Sequence, residues 1–243
     1  MFDLSSYEKL PQSFYNHSDV VHVAKELLGK YVFTNIDGII TAGKIVETEA
    51  YCGRNDRACH AHAGRTERTR VMFEKGGVAY VYLCYGIHHL FNVVSNEEGL
   101  ADAVLIRALE PVWGTETMHI RRGSKVPFSK LTAGPGTLSK AMGIHKKHNA
   151  LDLCGDTLWL ARNIEAPKEL EIEATTRVGV DYAGEDALLP WRFYIRDHPF
   201  VSVKKEIPDL RTGIPDAFIH LFNFTAEIGA SLYCSKIYKI CTK

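Results

Sequence analysis

The chain has 243 residues, of which 46% are hydrophobic and 24% charged, and it carries 29 basic against 29 acidic residues. That composition excludes collagen-like, disordered and membrane-spanning classes and leaves room for one compact domain with a substantial core, but hardly for two. A formal net charge of zero does not exclude a polyanionic partner, because only local clustering of charge matters at a docking surface.

No run approaches the ~20 apolar residues of a membrane helix, so no membrane association is expected. The opening MFDLSSYEKLPQSF has neither the basic start nor the apolar stretch of a secretory signal. The expected location is the cytoplasm (the nucleoid) or the nucleus, with no secretion. Cys52, Cys59, Cys84, Cys154, Cys234 and Cys241 are scattered without a C-x-x-C pair, and free thiols are the expectation for such a compartment.

In chain order, Ser18 is a suitable N-cap, and Val20, Val21, Ala24, Leu27 and Leu28 form one helical stripe before Gly29. YVFTNI and IITAGKIVETEAY then read as two β runs joined by the Asp37-Gly38 turn. Further β runs are expected at VAYVYLCY, HLFNVVS, DAVLIRALE, DTLWLA, LEIEATTR and RFYI, with short helices near Thr115–Arg122 and Thr137–Met142. Hairpin-like spacing dominates and no β-α-β alternation is sustained. The sequence therefore predicts an α+β (mixed) fold, a single domain around a curved, largely antiparallel β-sheet with flanking helices. From Thr117 to Leu151 there is no Asp or Glu, but there are Arg121, Arg122, Lys125, Lys130, Lys140, Lys146 and Lys147. Either a basic docking surface or a plain solvated face fits that run.

Three stretches carry chemistry. In KIVETEAY, alternation puts Glu47, Glu49 and Tyr51 on one face of the strand. The apolar flanks suggest burial, where an unpaired carboxylate is costly, so a pocket or a partner is implied; two solvated or ion-paired glutamates are the plainer alternative. In VAYVYLCYGIHHLFNVVS, Tyr80 and Tyr82 share a face, and Tyr85-Gly86 looks like a turn tip that thrusts an aromatic outward, as wedges between base steps do. An aromatic-rich β core is the alternative there. Between them, CHAHAGRTERTRVMF places Arg65, Arg68 and Arg70 beside Gly64, a loop suited to phosphates. Cys59, His60 and His62 do not have a standard zinc spacing, and no second cluster accompanies them. No metal is expected.

The runs IVETEAY, RTRVMF, YVYLCYG, FNVV, LIRALEP, LTAGPGTLSKAMGI and TRVGVDYAG, with His60 between the first two, resemble the alkyladenine (3-methyladenine) DNA glycosylase family in order and spacing, over roughly residues 12 to 203. The resemblance implies that the second glutamate of E-T-E-A-Y, Glu49, activates the attacking water, with Arg107 of LIRALEP near that water. It implies that Tyr51, His60 and Tyr82 form the base pocket. Asn92 matches the asparagine that hinders the 2-amino group of normal guanine, and Tyr85 the residue that intercalates on a protruding β-hairpin.

The implied partner is double-stranded DNA containing a damaged purine of the 3-methyladenine, 7-methylguanine or hypoxanthine type. The implied reaction is monofunctional hydrolysis by a monomer without cofactor, leaving an abasic site, since no lysine stands where a Schiff base would form. The basic loop is about one residue shorter than in the longest family members. Residues 204–243 have no counterpart and read as an extension of unassigned role after a domain at 1–203, although Phe218, Leu221, Phe222 and Phe224 suit them to docking. A non-catalytic nucleic-acid-binding module would explain the arginines and tyrosines but not Glu49 in a pocket. A metal-dependent hydrolase would draw on His60, His62 and the acids.

Overall fold

The computed structural model describes residues 3–165 and 169–203. Its elements are β1 (Tyr7–Lys9), α1 (Gln12–Tyr15), α2 (Val20–Glu26), β2 (Tyr31–Ile36), β3 (Ile39–Tyr51), β4 (Ala79–Cys84), β5 (His88–Ser95), β6 (Asp102–Trp113), α3 (Thr115–Arg122), α4 (Pro135–Met142), β7 (Leu158–Asn163), β8 (Ile172–Thr175) and β9 (Arg192–Ile195). The strands form one sheet in the order β1-β7-β2-β3-β6-β5-β4, and every pairing is antiparallel. β9 pairs with β3 and carries β8 on its other edge. The mixed α+β architecture and the single antiparallel sheet are as the sequence predicts.

β3 organises the molecule. Asp37 and Gly38 both have positive φ, 55° and 76°, the signature of a type I′ turn whose twist matches the flanking strands. It fixes the register Ile36↔Ile39 through Tyr31↔Lys44. Beyond Lys44, β2 no longer accompanies β3. There β9 takes over that edge, with Glu47↔Tyr194, Thr48↔Phe193 and Glu49↔Arg192, while β6 holds the other edge. Irregular pairing between Ile45, Glu47 and Thr48 adds local twist at the exchange. Glu47 and Glu49 are thus walled in by strands on both sides.

Alternation sorts the neighbouring strands. Ala79 and Val81 of β4, Phe91 and Val93 of β5, and Val104 and Ile106 of β6 face the main core, where they meet α2, Met118 of α3 and Leu138, Ala141 and Met142 of α4. The intervening residues Tyr80, Tyr82, Leu90, Asn92, Ala103, Leu105 and Arg107 face a cavity on the other side. α2 is tied to the sheet by the Thr48 hydroxyl, which donates to the Ala24 carbonyl at 2.8 Å.

Several elements differ from expectation. The N-cap of α2 is Asp19, not Ser18, because the Asp19 carboxylate accepts from the Val21 and His22 amides at 2.8 and 3.2 Å; the Ser18 carbonyl accepts from Asn96. α4 begins at Pro135, whose missing N–H is harmless in a first turn. LEIEATTR shortens to β8, since Arg177 leaves the ladder for a buried partner. Within the basic run, Arg121 donates to the Ala141 carbonyl and Arg122 to the Leu131 carbonyl, whereas Lys125, Lys130, Lys140, Lys146 and Lys147 are exposed.

Cys52, Cys59, Cys84 and Cys154 are free, while Cys234 and Cys241 lie outside the described residues, as do Phe218, Leu221, Phe222 and Phe224. Among the described residues no helix is long and apolar enough to cross a membrane.

Candidate active site

The two strand glutamates are fully buried and share one arginine. Glu47 accepts from Arg107 Nε at 2.9 Å, from Arg192 Nη1 at 2.8 Å and from the Ser202 amide at 2.6 Å. Two guanidinium groups and a backbone N–H thus fix it. Glu49 accepts at Oε1 from the Val178 amide at 2.7 Å and at Oε2 from the Tyr51 hydroxyl at 2.8 Å, and Arg107 Nη1 stands 3.2 Å from Oε1 as an ion pair. A carboxylate oxygen accepts two hydrogen bonds, so Oε2, with the Tyr51 hydroxyl as its one donor, retains acceptor capacity, while Oε1 faces both the Val178 amide and the Arg107 cation. Burial works against the charge of Arg107, but Glu49 and Glu47 outweigh it and hold its pKa above the ordinary value. Burial, and then Glu49, push the Tyr51 phenol well above its usual range; its proton stays in place to be donated.

Tyr51 and Val178, the two donors to Glu49, and its ion-pair partner Arg107 also line a cavity of about 820 Å³. Its other walls include His60, Tyr82 and Asn92. The His60 ring meets the Tyr82 ring edge-on with centroids 4.6 Å apart, and its Nδ1 is 3.2 Å from the Tyr80 hydroxyl. Burial, helped by Arg68, pushes the His60 pKa down to about 4, so the imidazole is neutral at pH 7. Asn92 Nδ2 donates to the Tyr80 carbonyl at 3.1 Å, which fixes the direction of its amide. These are polar and aromatic groups converging on a concavity large enough for a purine nucleoside.

At the rim, β4 and β5 are joined through Tyr85, Gly86 and Ile87. Tyr85 has φ of 51° and Gly86 of 74°. The left-handed region is sparsely populated by tyrosine and costs strain. That turn leaves Tyr85 91% and Ile87 72% exposed, so the tip protrudes with its apolar groups in solvent. Arg68 also stands at the rim, its guanidinium 5.3 Å over the Tyr82 ring. Arg65 and Arg70 are exposed on the same loop, outside the cavity lining, with Arg70 3.7 Å from Glu67. Among the described residues no group of three His, Cys, Asp or Glu side chains stands where it could hold a metal ion.

Residues 13–199 match the family model described as methylpurine-DNA glycosylase. The chain belongs to that family. A protein of Alkaliphilus oremlandii (strain OhILAs) described as a 3-methyladenine DNA glycosylase is 45% identical over 204 residues, 81% of this chain and 100% of its own length. Relatives with the same description in Bacillus cereus (strain G9842) and Natranaerobius thermophilus are 46% and 45% identical, covering 80% of this chain and 98% and 99% of their own lengths. As a family member this glycosylase is a hydrolytic DNA-repair enzyme.

The cavity of this glycosylase brings together seven of the site residues picked out in the sequence, Tyr51, His60, Arg68, Tyr82, Tyr85, Asn92 and Arg107, with Glu49 behind three of its wall groups. Sequence reasoning missed the Val178 amide, Arg192 and Ser202. A backbone donor has no residue signature, and the TRVGVDYAG run was the one available pointer to Val178.

Proposed function

We propose that this glycosylase acts as a monomer on double-stranded DNA, flips an alkylated or deaminated purine (3-methyladenine, 7-methylguanine or hypoxanthine type) into the cavity, and hydrolyses its N-glycosidic bond with a water activated by Glu49. The observation that carries the reading is the Glu49 carboxylate, hydrogen-bonded to Tyr51 and the Val178 amide and ion-paired with Arg107, all in an aromatic cavity wall, with a single hydrogen bond on Oε2. The water is held on Oε2, admitted by a small displacement of the Tyr51 hydroxyl. As the C1′–N bond breaks, its electron pair leaves with the purine, the water oxygen bonds C1′ and Oε2 takes the proton. A nearby carboxylate also stabilises the oxocarbenium character at C1′. General-base action supplies roughly 10²–10⁴ in rate, and positioning the remainder.

An alkylated purine is cationic and leaves as a neutral base without further protonation. Tyr51 and Tyr82 present ring faces or edges to such a cation, while His60, uncharged at pH 7, adds no repulsion. Extrusion costs a few kcal/mol, and Tyr85 offsets it by filling the vacated stack at about 1–3 kcal/mol. Arg65, Arg68 and Arg70 take backbone phosphates, and Arg107 steadies the water and Glu49. The catalytic domain is residues 1–203; it needs neither metal nor cofactor and leaves an abasic site, acting in the cytoplasm or nucleus.

The decisive measurement is release of free base from a duplex carrying one 7-methylguanine or 3-methyladenine, with EDTA present. Free purine and an intact abasic strand are expected. Binding without release would leave a nucleic-acid-binding module, and release abolished by EDTA would point to metal-dependent hydrolysis.

A further inference from the structure

The run TRVGVDYAG contributes more than the Val178 amide. Arg177, just before it, is buried, and its side chain has no exposed surface. Nη1 and Nη2 grip the two oxygens of the equally buried Asp56, the latter at 2.8 Å. The same nitrogens reach the carbonyls of Ala50 and Asp186, both at 2.9 Å. The guanidinium lies 4.9 Å from the Tyr51 ring centroid and 5.3 Å from that of Trp191. Arg177 is not part of the cavity wall, whereas Tyr51 is; the arginine therefore backs Tyr51 from the side away from the cavity.

The neighbours matter. Ala50, whose carbonyl Arg177 holds, sits between Glu49 and Tyr51 in β3. Its amide is held in turn by the Trp191 carbonyl at 2.9 Å. Val178, the residue after Arg177, gives Glu49 its 2.7 Å amide bond. One guanidinium thus fixes the strand between base and stacking ring, the ring itself, and the peptide that grips the base.

A buried ion pair is weak evidence for stability, because apolar residues of the same volume often serve as well. Arg177 moreover keeps Nε buried without a hydrogen-bond partner among the described residues, which an arginine serving stability alone has little reason to tolerate. Its charge is offset by Asp56, so geometry, not field, is what it brings to the site.

We propose that Arg177 is a positioning residue for base excision, holding Tyr51 and the Val178 amide in the arrangement that orients Glu49. The proposal rests on Glu49 being the base. Lysine can keep the ion pair with Asp56 but not the planar fork that serves four acceptors at once.

The test uses the full chain on a duplex with one 7-methylguanine. It compares wild type, Arg177→Lys and the paired variant Asp56→Asn with Arg177→Met, which leaves no lone buried charge. Single-turnover excision at saturating protein is read alongside the protein concentration giving half the maximal rate and the melting midpoint. For Arg177→Lys a drop of at least tenfold in the saturated rate is expected, with half-saturation within threefold of wild type. The loss should shrink in a Tyr51→Phe background, because the two residues act through one contact.

If Arg177→Lys does not fold, the paired variant carries the same expectation. A saturated rate within twofold of wild type, or a loss confined to half-saturation, overturns the role of Arg177. Absence of excision by the wild type, or full excision by Glu49→Gln, instead overturns the reading beneath it.

Discussion

Arg107 bridges both strand glutamates, donating through Nε to Glu47 at 2.9 Å and ion-pairing through Nη1 with Glu49 at 3.2 Å. A single guanidinium therefore couples the two carboxylates. Glu47 has a second arginine, Arg192, and the Ser202 amide, so its negative charge is fully compensated in place. Glu49 shares Arg107 and otherwise relies on neutral donors, Tyr51 and Val178. The residue with fewer cations is the one whose partners, Tyr51, Val178 and Arg107, all line the cavity, whereas Arg192 and Ser202 do not.

The two glutamates should therefore fail differently. Glu49→Gln is expected to lower single-turnover base release by at least ~10², the lower end for a general base, while binding to a damaged duplex stays within a few-fold. Glu47→Gln leaves two buried arginines short of their counter-charge and should lower stability by roughly 3–5 kcal/mol, the cost of breaking a buried pair. Its excision rate per folded molecule should change far less. Equal rate losses in the two variants, measured at matched fractions folded, would refute the choice of Glu49.

Much of this site is legible in the sequence because strands of period two build it. Glu49 and Tyr51 of β3 and Tyr80 and Tyr82 of β4 follow from alternation once the strand is recognised, the Tyr85-Gly86 tip follows from turn chemistry, and Asn92 of β5 follows only from the family resemblance. β9 against β3 is different. The pairing Glu47↔Tyr194 joins residues far apart in the chain, and no local pattern announces which strand takes the edge that β2 leaves. Arg192 and Ser202, carried by that segment, were unreadable for the same reason. The basic run is legible as charge but not as role, since Arg121 and Arg122 spend their donors on helix-end and loop carbonyls.

On the proposed reading Asn92 excludes rather than binds. Its Nδ2 is held by the Tyr80 carbonyl at 3.1 Å, so the amide cannot swing aside to admit a purine 2-amino group. Asn92→Ser should open activity toward normal or mismatched guanine and leave adenine-derived lesions little changed. Guanine release from an undamaged duplex measures this directly, and unchanged discrimination would place selectivity elsewhere.

His60 links the pocket to pH. Its folded pKa of about 4 lies below the ordinary 6.5, so between those values the unfolded chain binds the proton that the folded one refuses. Stability should be fully present above pH 6.5 and fall as pH drops toward 4, by up to about 3 kcal/mol. His60→Gln should flatten that part of the profile. Thermal melts of both proteins between pH 7 and 4.5 provide the comparison, and parallel curves would show that His60 is not the titrating group.

The last expectation concerns Tyr85, which is 91% exposed at a turn tip in a backbone region that tyrosine rarely adopts. A ring so exposed buries almost nothing in the free protein, so Tyr85→Ala should leave the melting midpoint unchanged or slightly raised. If the same ring fills the place of the flipped base, as proposed, that contact is worth ~1–3 kcal/mol, and its loss should deplete the flipped state by roughly one to two orders of magnitude. The deficit should depend on the DNA. Opposite a gap or within a weak mismatch, extrusion is already cheap, and the variant should recover part of its excision rate there, whereas in a fully paired duplex it should not. Single-turnover excision across such a series of duplexes measures the wedge, and a uniform loss on every substrate would show that Tyr85 acts some other way.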